Sequence, residues 1–322
     1  MLSPSSETAE RPAPDAAVND SAAVKAIPVR HPGRWVALLI LAVLGAMLVH
    51  SVTTNPRFEW DVVGQYLFSE RIMSGLRLTL VLTAVSMAVG IVLGTVIAVM
   101  RLSKNPILRA VAFGYVWLFR GTPLLVQIIF WAYISALYPR LSLGIPFGPE
   151  FVVFDANDVI SPLVAAVLAL SLHEAAYMAE IVRGGIQSVD HGQTEAAQAL
   201  GMSPLRITGR IILPQAMRVI IPPTGNEMIT MLKMSSLVSV IAVAELLYSA
   251  QLIYAVNYKT IPLLITASIW YLVITSVLSL GQHYVERHYA RGLTGSAVPG
   301  GLSRLWSTRR PARPAEKETT GG

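Results

Sequence analysis

The 322-residue sequence contains no cysteine. That excludes disulfides, thiolate metal sites and cysteine nucleophiles together. Charge is scarce as well: Asp, Glu, Lys and Arg make up 14% of the chain, against about a quarter in soluble domains. The G-x-x-x-x-G-K-[S/T] loop that cradles nucleotide phosphates is missing, so the chain is not expected to hydrolyse ATP. No H-E-x-x-H or G-x-S-x-G motif occurs, and the six histidines form no catalytic or metal-ligand pattern. The sequence does not read as an enzyme.

What it has instead is long apolar runs. Trp35 to Val52, Leu78 to Met100, Gly121 to Pro139 and Thr260 to Val285 carry no Asp, Glu, Lys or Arg. Each approaches or exceeds the ~18 residues that cross a bilayer. Ser161 to Gln187 and Gln215 to Leu247 are apolar but interrupted by charges. The expected fold class is all-α, a polytopic membrane helix bundle of about six spans. Trp35 to Val52 lies behind a long tail and lacks a small-x-small cleavage site, so it reads as a retained span (34–53). Residues 1–33 and 293–322 are rich in Pro, Ala, Gly and charge and read as disordered tails. Basic residues concentrate in both tails, around Arg101 to Arg109 and from Arg183 to Arg218. The positive-inside rule then puts both termini in the cytoplasm.

Several local features refine this layout. Asn105 to Phe119 should lie at the inner face, turn at Gly121-Thr122-Pro123 and then cross. Pro139 to Ile160 should be an outer loop, and Pro222-Pro223 should kink the fifth span. Ser86, Gly90 and Gly94 repeat at four-residue spacing, a seam for close packing within the chain or against a second subunit. Charges inside spans are costly, at about 2.5–3.5 kcal/mol each. Glu174 and Lys233 fall near mid-depth, as a mutual salt bridge or as opposite charges offered to a zwitterion. Glu180 and Arg183 are three apart on one helix, as a simple pair or a gate. His173 reads as a packed residue. Asn226 and Glu227 are expected at the inner mouth, and Glu245 at the outer one.

The polar stretch ending at Pro214 stands apart from these spans. Asp190 can N-cap a short helix, with Gln193 reaching back as in a capping box. Ala196, Ala197 and Leu200 then share one face. Gly201 is a C-terminal stop. Ser203-Pro204 restarts a helix, and Pro214 marks a further bend. On these residues alone the stretch is either a docking piece or a hairpin joining two spans.

Its spacing, E-A-A-x(3)-G-x(9)-I-x-L-P from Glu195 to Pro214, resembles the signature loop of importer-type ABC transporter permeases. Four more stretches resemble the polar amino-acid branch of that family: F-R-G-T-P-L-L-V-Q (119–127), Y-M-A-E-I-V-R-G-G-I (177–186), G-N-E-M-I (225–229) and K-M-S-S-L (233–237). The resemblance implies a five-span permease core over 74–288, preceded here by one extra span of unknown role. It implies a cytoplasmic coupling loop at about 188–214, with Asp190, Glu195, Ala196, Ala197, Leu200, Gly201, Ile211, Leu213 and Pro214 meeting a separate ATPase. Two ATPase copies, a second permease subunit and an extracytoplasmic amino-acid-binding protein would complete the importer. ATP and Mg would sit on the ATPase, with no cofactor on this chain. Substrates would be polar amino acids of the glutamate, glutamine, histidine, arginine or opine class, with Glu174, Glu180, Arg183 and Lys233 along the path or gate. The location would be the bacterial plasma membrane. A stand-alone secondary transporter would instead show internal repeats of spans. A channel would have no use for the polar hairpin.

Overall fold

A computed structural model describes residues 32–145 and 148–290. The chain divides into two units, one ending at Phe58 and one beginning at Glu59. The tails expected over 1–33 and 293–322 lie outside the described residues, apart from Pro32 and Gly33.

The first unit is one helix, α1 (Pro32–Thr54), followed by a 3-10 turn at Pro56–Phe58. Apolar residues surround α1 on every side, so it lacks the polar stripe of a helix that packs on a soluble core.

In the second unit, α2 (Trp60–Leu67) precedes the long α3 (Glu70–Leu102). Asn105 caps the next helix by accepting the Ile107 N–H at 2.9 Å, and Pro106 fills the first turn. That helix is α4 (Pro106–Gly121), and α5 (Leu124–Ala132) follows at a bend of 102°. Pro123 has no N–H and holds Thr122 extended, so α4 cannot run on. The bend is sealed by Gln127, whose Nε2 donates to the Phe119 carbonyl at 2.9 Å and to Thr122 O and Oγ1 at 3.1 and 2.9 Å. The first and last residues of the F-R-G-T-P-L-L-V-Q stretch are therefore bonded to each other. The turn stands where the sequence put it, and the stretch expected to cross over Gly121 to Pro139 is α5 followed by a 3-10 turn at Ile134–Ala136. Only nine residues of it form α5, about 14 Å against a hydrocarbon core of ~30 Å.

The expected outer loop contains an antiparallel hairpin, β1 (Arg140–Gly144) with β2 (Glu150–Asp155), bulged next to Gly144. A short α6 (Ala156–Val159) leads to α7 (Pro162–Gln187), which Ser161 caps at the Val164 N–H. Then come α8 (His191–Ala199), α9 (Pro204–Ile207), a π turn (Thr208–Ile212) and α10 (Leu213–Met234). A 3-10 segment (Ser235–Ile241), α11 (Leu246–Asn257) and α12 (Thr260–Ala290) complete the fold. Four described helices are long and apolar enough to span a membrane, and up to six spans result if each bent pair counts as one.

Among these spans α7 is the most enclosed, with 61% of its apolar window buried against 17% for α12. It packs along α3, where Gly90 and Gly94 remove the Cβ atoms that would obstruct approach. A Cβ on Gly90 would stand 2.6 Å from Glu174 Cγ, and one on Gly94 2.8 Å from the Ala175 carbonyl. The small-residue seam is thus used within the chain. Leu82, Met87, Ile128, Leu170, Met231 and Val238 form one apolar cluster where α3, α5, α7 and α10 meet. Ile72, Leu246, Leu263 and Ala267 join α3, α11 and α12.

Pro222 and Pro223, where a kink is expected, lie inside α10, which turns 3-10 only at Ser235. There the Ser235 and Ser236 hydroxyls bond the Leu232 and Lys233 carbonyls, each at 2.7 Å, satisfying the last turn of α10. Glu245 is not at an outer mouth. It is fully buried and caps α11 through the Leu247 and Tyr248 N–H groups at 2.9 and 2.8 Å. The Tyr271 hydroxyl donates to the same carboxylate at 2.9 Å, and Thr79 Oγ1 accepts the Leu246 N–H at 3.1 Å. Three helices are tied at one carboxylate.

Candidate functional site

The polar hairpin is built by local chemistry. Asp190 Oδ1 accepts the Gly192 N–H at 2.7 Å and starts α8. The Gln193 N–H goes to the Asp190 backbone carbonyl at 3.1 Å. At the other end the Gly201 N–H bonds Gln198 O at 2.9 Å and the Met202 N–H bonds Ala197 O at 3.1 Å. With Gly201 at φ +74° this is a Schellman stop. Ser203 precedes Pro204 as expected, but its hydroxyl makes no cap bond.

The face predicted to unite Ala196, Ala197 and Leu200 is split. Ala197 turns inward and is buried, as is Ile207 on α9, whereas Glu195, Ala196 and Leu200 are exposed. Leu200 and Leu205 are 82% and 85% exposed on this otherwise polar hairpin. Ile211 is half-buried, while Leu213 and Pro214 are exposed. At Pro214 no bend breaks the rod. The backbone passes from α9 through the π turn into α10, and proline, which cannot donate, sits just after the widened winding. The rod's inner end is anchored by Ala98, Met178, Val182, Ala216 and Ile220 from α3, α7 and α10.

A second polar site lies inside the bundle. Glu174 is 2% exposed and its Oε1 has no hydrogen-bond partner. Ser86 Oγ, Ser171 Oγ and His173 Nδ1 are also buried without partners. His173 packs against Tyr177 with ring centroids 5.0 Å apart. Lys233 does not answer Glu174: it is exposed, and the described residues hold no ion pair between them. The charged group that acts on Glu174 is Glu227, of like sign. The mutual salt bridge, one of the two readings of Glu174 and Lys233, is therefore absent; Glu174 has a carboxylate, Glu227, as its charged neighbour, and Glu227 in turn feels Arg120.

Glu180 and Arg183 do pair. Arg183 Nη2 reaches Glu180 Oε2 at 2.5 Å and its Nη1 reaches Gln187 Oε1 at 2.6 Å. Arg101 from α3 completes the cluster, with its Nη2 3.4 Å from Glu180 Oε1. That approach is an ion pair without hydrogen-bond geometry. Arg101 was missed because it lies far away in sequence, although a charge at the end of an apolar run was the available signal.

Gln282 was also missed. From α12 it donates to the Pro222 carbonyl at 2.7 Å and to Glu286 Oε1 at 3.0 Å. It presses on α10 at Gly225, where a Cβ would collide with its amide. The glycine of G-N-E-M-I is a seat for that side chain.

Comparison with known proteins adds to this geometry. Residues 90–291 match the model of the family described as binding-protein-dependent transport system inner membrane component. The chain is 45% identical to the arginine transport system permease protein ArgU of Corynebacterium glutamicum, over 91% of each chain. It is 37% identical to the nopaline transport system permease protein NocM of Agrobacterium fabrum, over 70% of this chain and 92% of that one. Among solved structures, a chain of an amino acid ABC transporter crystallised with histidines superposes with a TM-score of 0.60 at 37% identity, covering 71% of this chain and 98% of the other.

Proposed function

This chain belongs to the binding-protein-dependent transport system inner membrane components, and on that premise we propose that it is the permease subunit of an ABC importer for amino acids. Relatives named for arginine and nopaline transport, and a structural neighbour that is an amino acid ABC transporter, support the substrate class. Polar or charged amino acids are the substrates in this reading. The protein is multi-pass, sits in the bacterial inner membrane, and has both termini in the cytoplasm.

The observation that carries the reading is the polar hairpin with Leu200 and Leu205 facing outward. A soluble partner's apolar groove is the natural cover for such side chains. In this role Asp190 and Gly201 shape the hairpin, Glu195, Ala196 and Leu200 meet an ATPase, and Ile211, Leu213 and Pro214 carry its motion into α10. ATP and Mg act on that ATPase, present in two copies. A second permease subunit and an extracytoplasmic amino-acid-binding protein complete the assembly. The buried carboxylate of Glu174, whose Oε1 has no partner, favours a ligand that brings an ammonium or guanidinium group. Glu180 and Arg183 act at the inner gate, and exposed Lys233 lines the path.

The test is purification of the tagged chain from its native membrane in mild detergent, beside Leu200→Asp. An ATPase that accompanies the wild type and leaves the folded variant supports the reading. A wild type that emerges alone under several gentle conditions and drives gradient-coupled uptake in vesicles would replace it with a secondary transporter.

A further inference from the structure

A pocket of about 440 Å3 opens between the end of α3, α4 and the inner half of α7. Its walls include Arg101, Phe113, Trp117, Arg120, Tyr177 and Glu180. Each arginine is stacked on a ring: Arg101 lies 5.1 Å from the Phe113 centroid and Arg120 5.0 Å from that of Tyr177. A guanidinium held over a ring in this way keeps N–H donors for another group.

The charges are unbalanced. Glu180 is shared between Arg101 and Arg183, and no carboxylate among the described residues lies within ion-pair distance of Arg120. The pocket wall thus holds two guanidiniums and one carboxylate already engaged, and Glu227, outside the wall, acts on Arg120 without an ion-pair contact.

The 102° bend sets α4 nearly at right angles to α5. Phe113 and Trp117 are 58% and 69% exposed on α4, the placement of aromatic anchors at a headgroup layer.

We propose that this pocket binds an oxyanion, a carboxylate or a phosphate, through Arg120 and Arg101. The planar fork of each guanidinium matches two oxygens of either group. The phosphate would come from an inner-leaflet phospholipid. The carboxylate would come from the amino acid leaving the path, and that source rests on the importer reading, whereas the phospholipid source does not.

The experiment uses the full assembly in nanodiscs, as wild type, Arg120→Gln and Arg120→Lys. In one arm the nanodiscs contain phosphatidylglycerol, and tightly retained lipid is counted by native mass spectrometry. In the other the lipid is phosphatidylcholine alone, and binding of labelled L-arginine and L-glutamate is measured by equilibrium dialysis. Arg120→Gln should weaken one arm about tenfold, the scale of a charged hydrogen bond, with Arg120→Lys in between. Loss in the first arm identifies the phospholipid and loss in the second the amino acid. Without any variant, a photoreactive phosphatidylglycerol should label α4 between Phe113 and Arg120 if the lipid is the occupant. Equal retention by wild type and Arg120→Gln in both arms, with no such labelling, overturns the proposal.

Discussion

At Gly90 and Gly94 a missing methyl group sets how closely α3 approaches α7. Alanine at Gly90 would drive a Cβ into Glu174 Cβ and Cγ, at 2.8 and 2.6 Å. We expect Gly90→Ala to lower stability by about 1–3 kcal/mol, the usual cost of overpacking. Thermal unfolding in detergent would measure it. Gly184→Ala, where the added atom meets nothing within 4 Å, serves as the control and should be neutral or stabilising. Glu174 itself allows an opposite expectation. Its Oε1 has no partner, so Glu174→Gln should leave the unfolding temperature unchanged or raise it while reducing transport. Lower stability together with normal uptake would make Glu174 structural. At Gly225, alanine should destabilise alone but far less in a Gln282→Ala background, because the collision is with that amide. Such residue-scale facts were only half legible. The spacing of Ser86, Gly90 and Gly94 announced a seam, but nothing local said that Glu174 would fill the space at Gly90 or that Lys233 would turn away.

The hairpin of α8 and α9 is the element most readable from sequence, because caps and stops act over a few residues. Asp190, Gly201 and Pro204 each took the expected place. The inward turn of Ala197 and outward turn of Ala196 were not readable, since they depend on how α8 lies against α9. The geometry also changes why Gly201 matters. Around its would-be Cβ there is open space, and the constraint is φ +74° alone. Gly201→Ala should therefore loosen the hairpin by about 1 kcal/mol and weaken ATPase retention. Gly201→Asn, which tolerates that conformation, should retain more. Pull-down of the ATPase from matched membranes compares them, and equal retention by all three would show that the Schellman stop is dispensable. Glu245 gives the contrary lesson. Hydropathy placed it at a membrane exit, but the chain bends by 43° after the 3-10 segment and Glu245 is buried there as the cap of α11.

For the whole molecule, apolar run length was enough to give the helical class and the spans, because every backbone polar group in a bilayer needs an internal partner. It was not enough for the broken pairs: the 102° bend rests on Pro123 and the bonds of Gln127, and the 43° bend on Ala242 at φ 61° and the Glu245 cap. The first unit ends before Glu59, and the family match begins at residue 90. A chain starting at Glu59 should keep its ATPase association, checked by co-purification with the full-length protein alongside. The π turn at Thr208–Ile212 has a last consequence. Each residue advances a helix by about 100°, so one residue more or fewer there works like a dial between membrane and motor. Deleting Gly209 would restore ordinary winding yet point Leu200 and Leu205 toward a different compass bearing, leaving a sound helix geared to nothing.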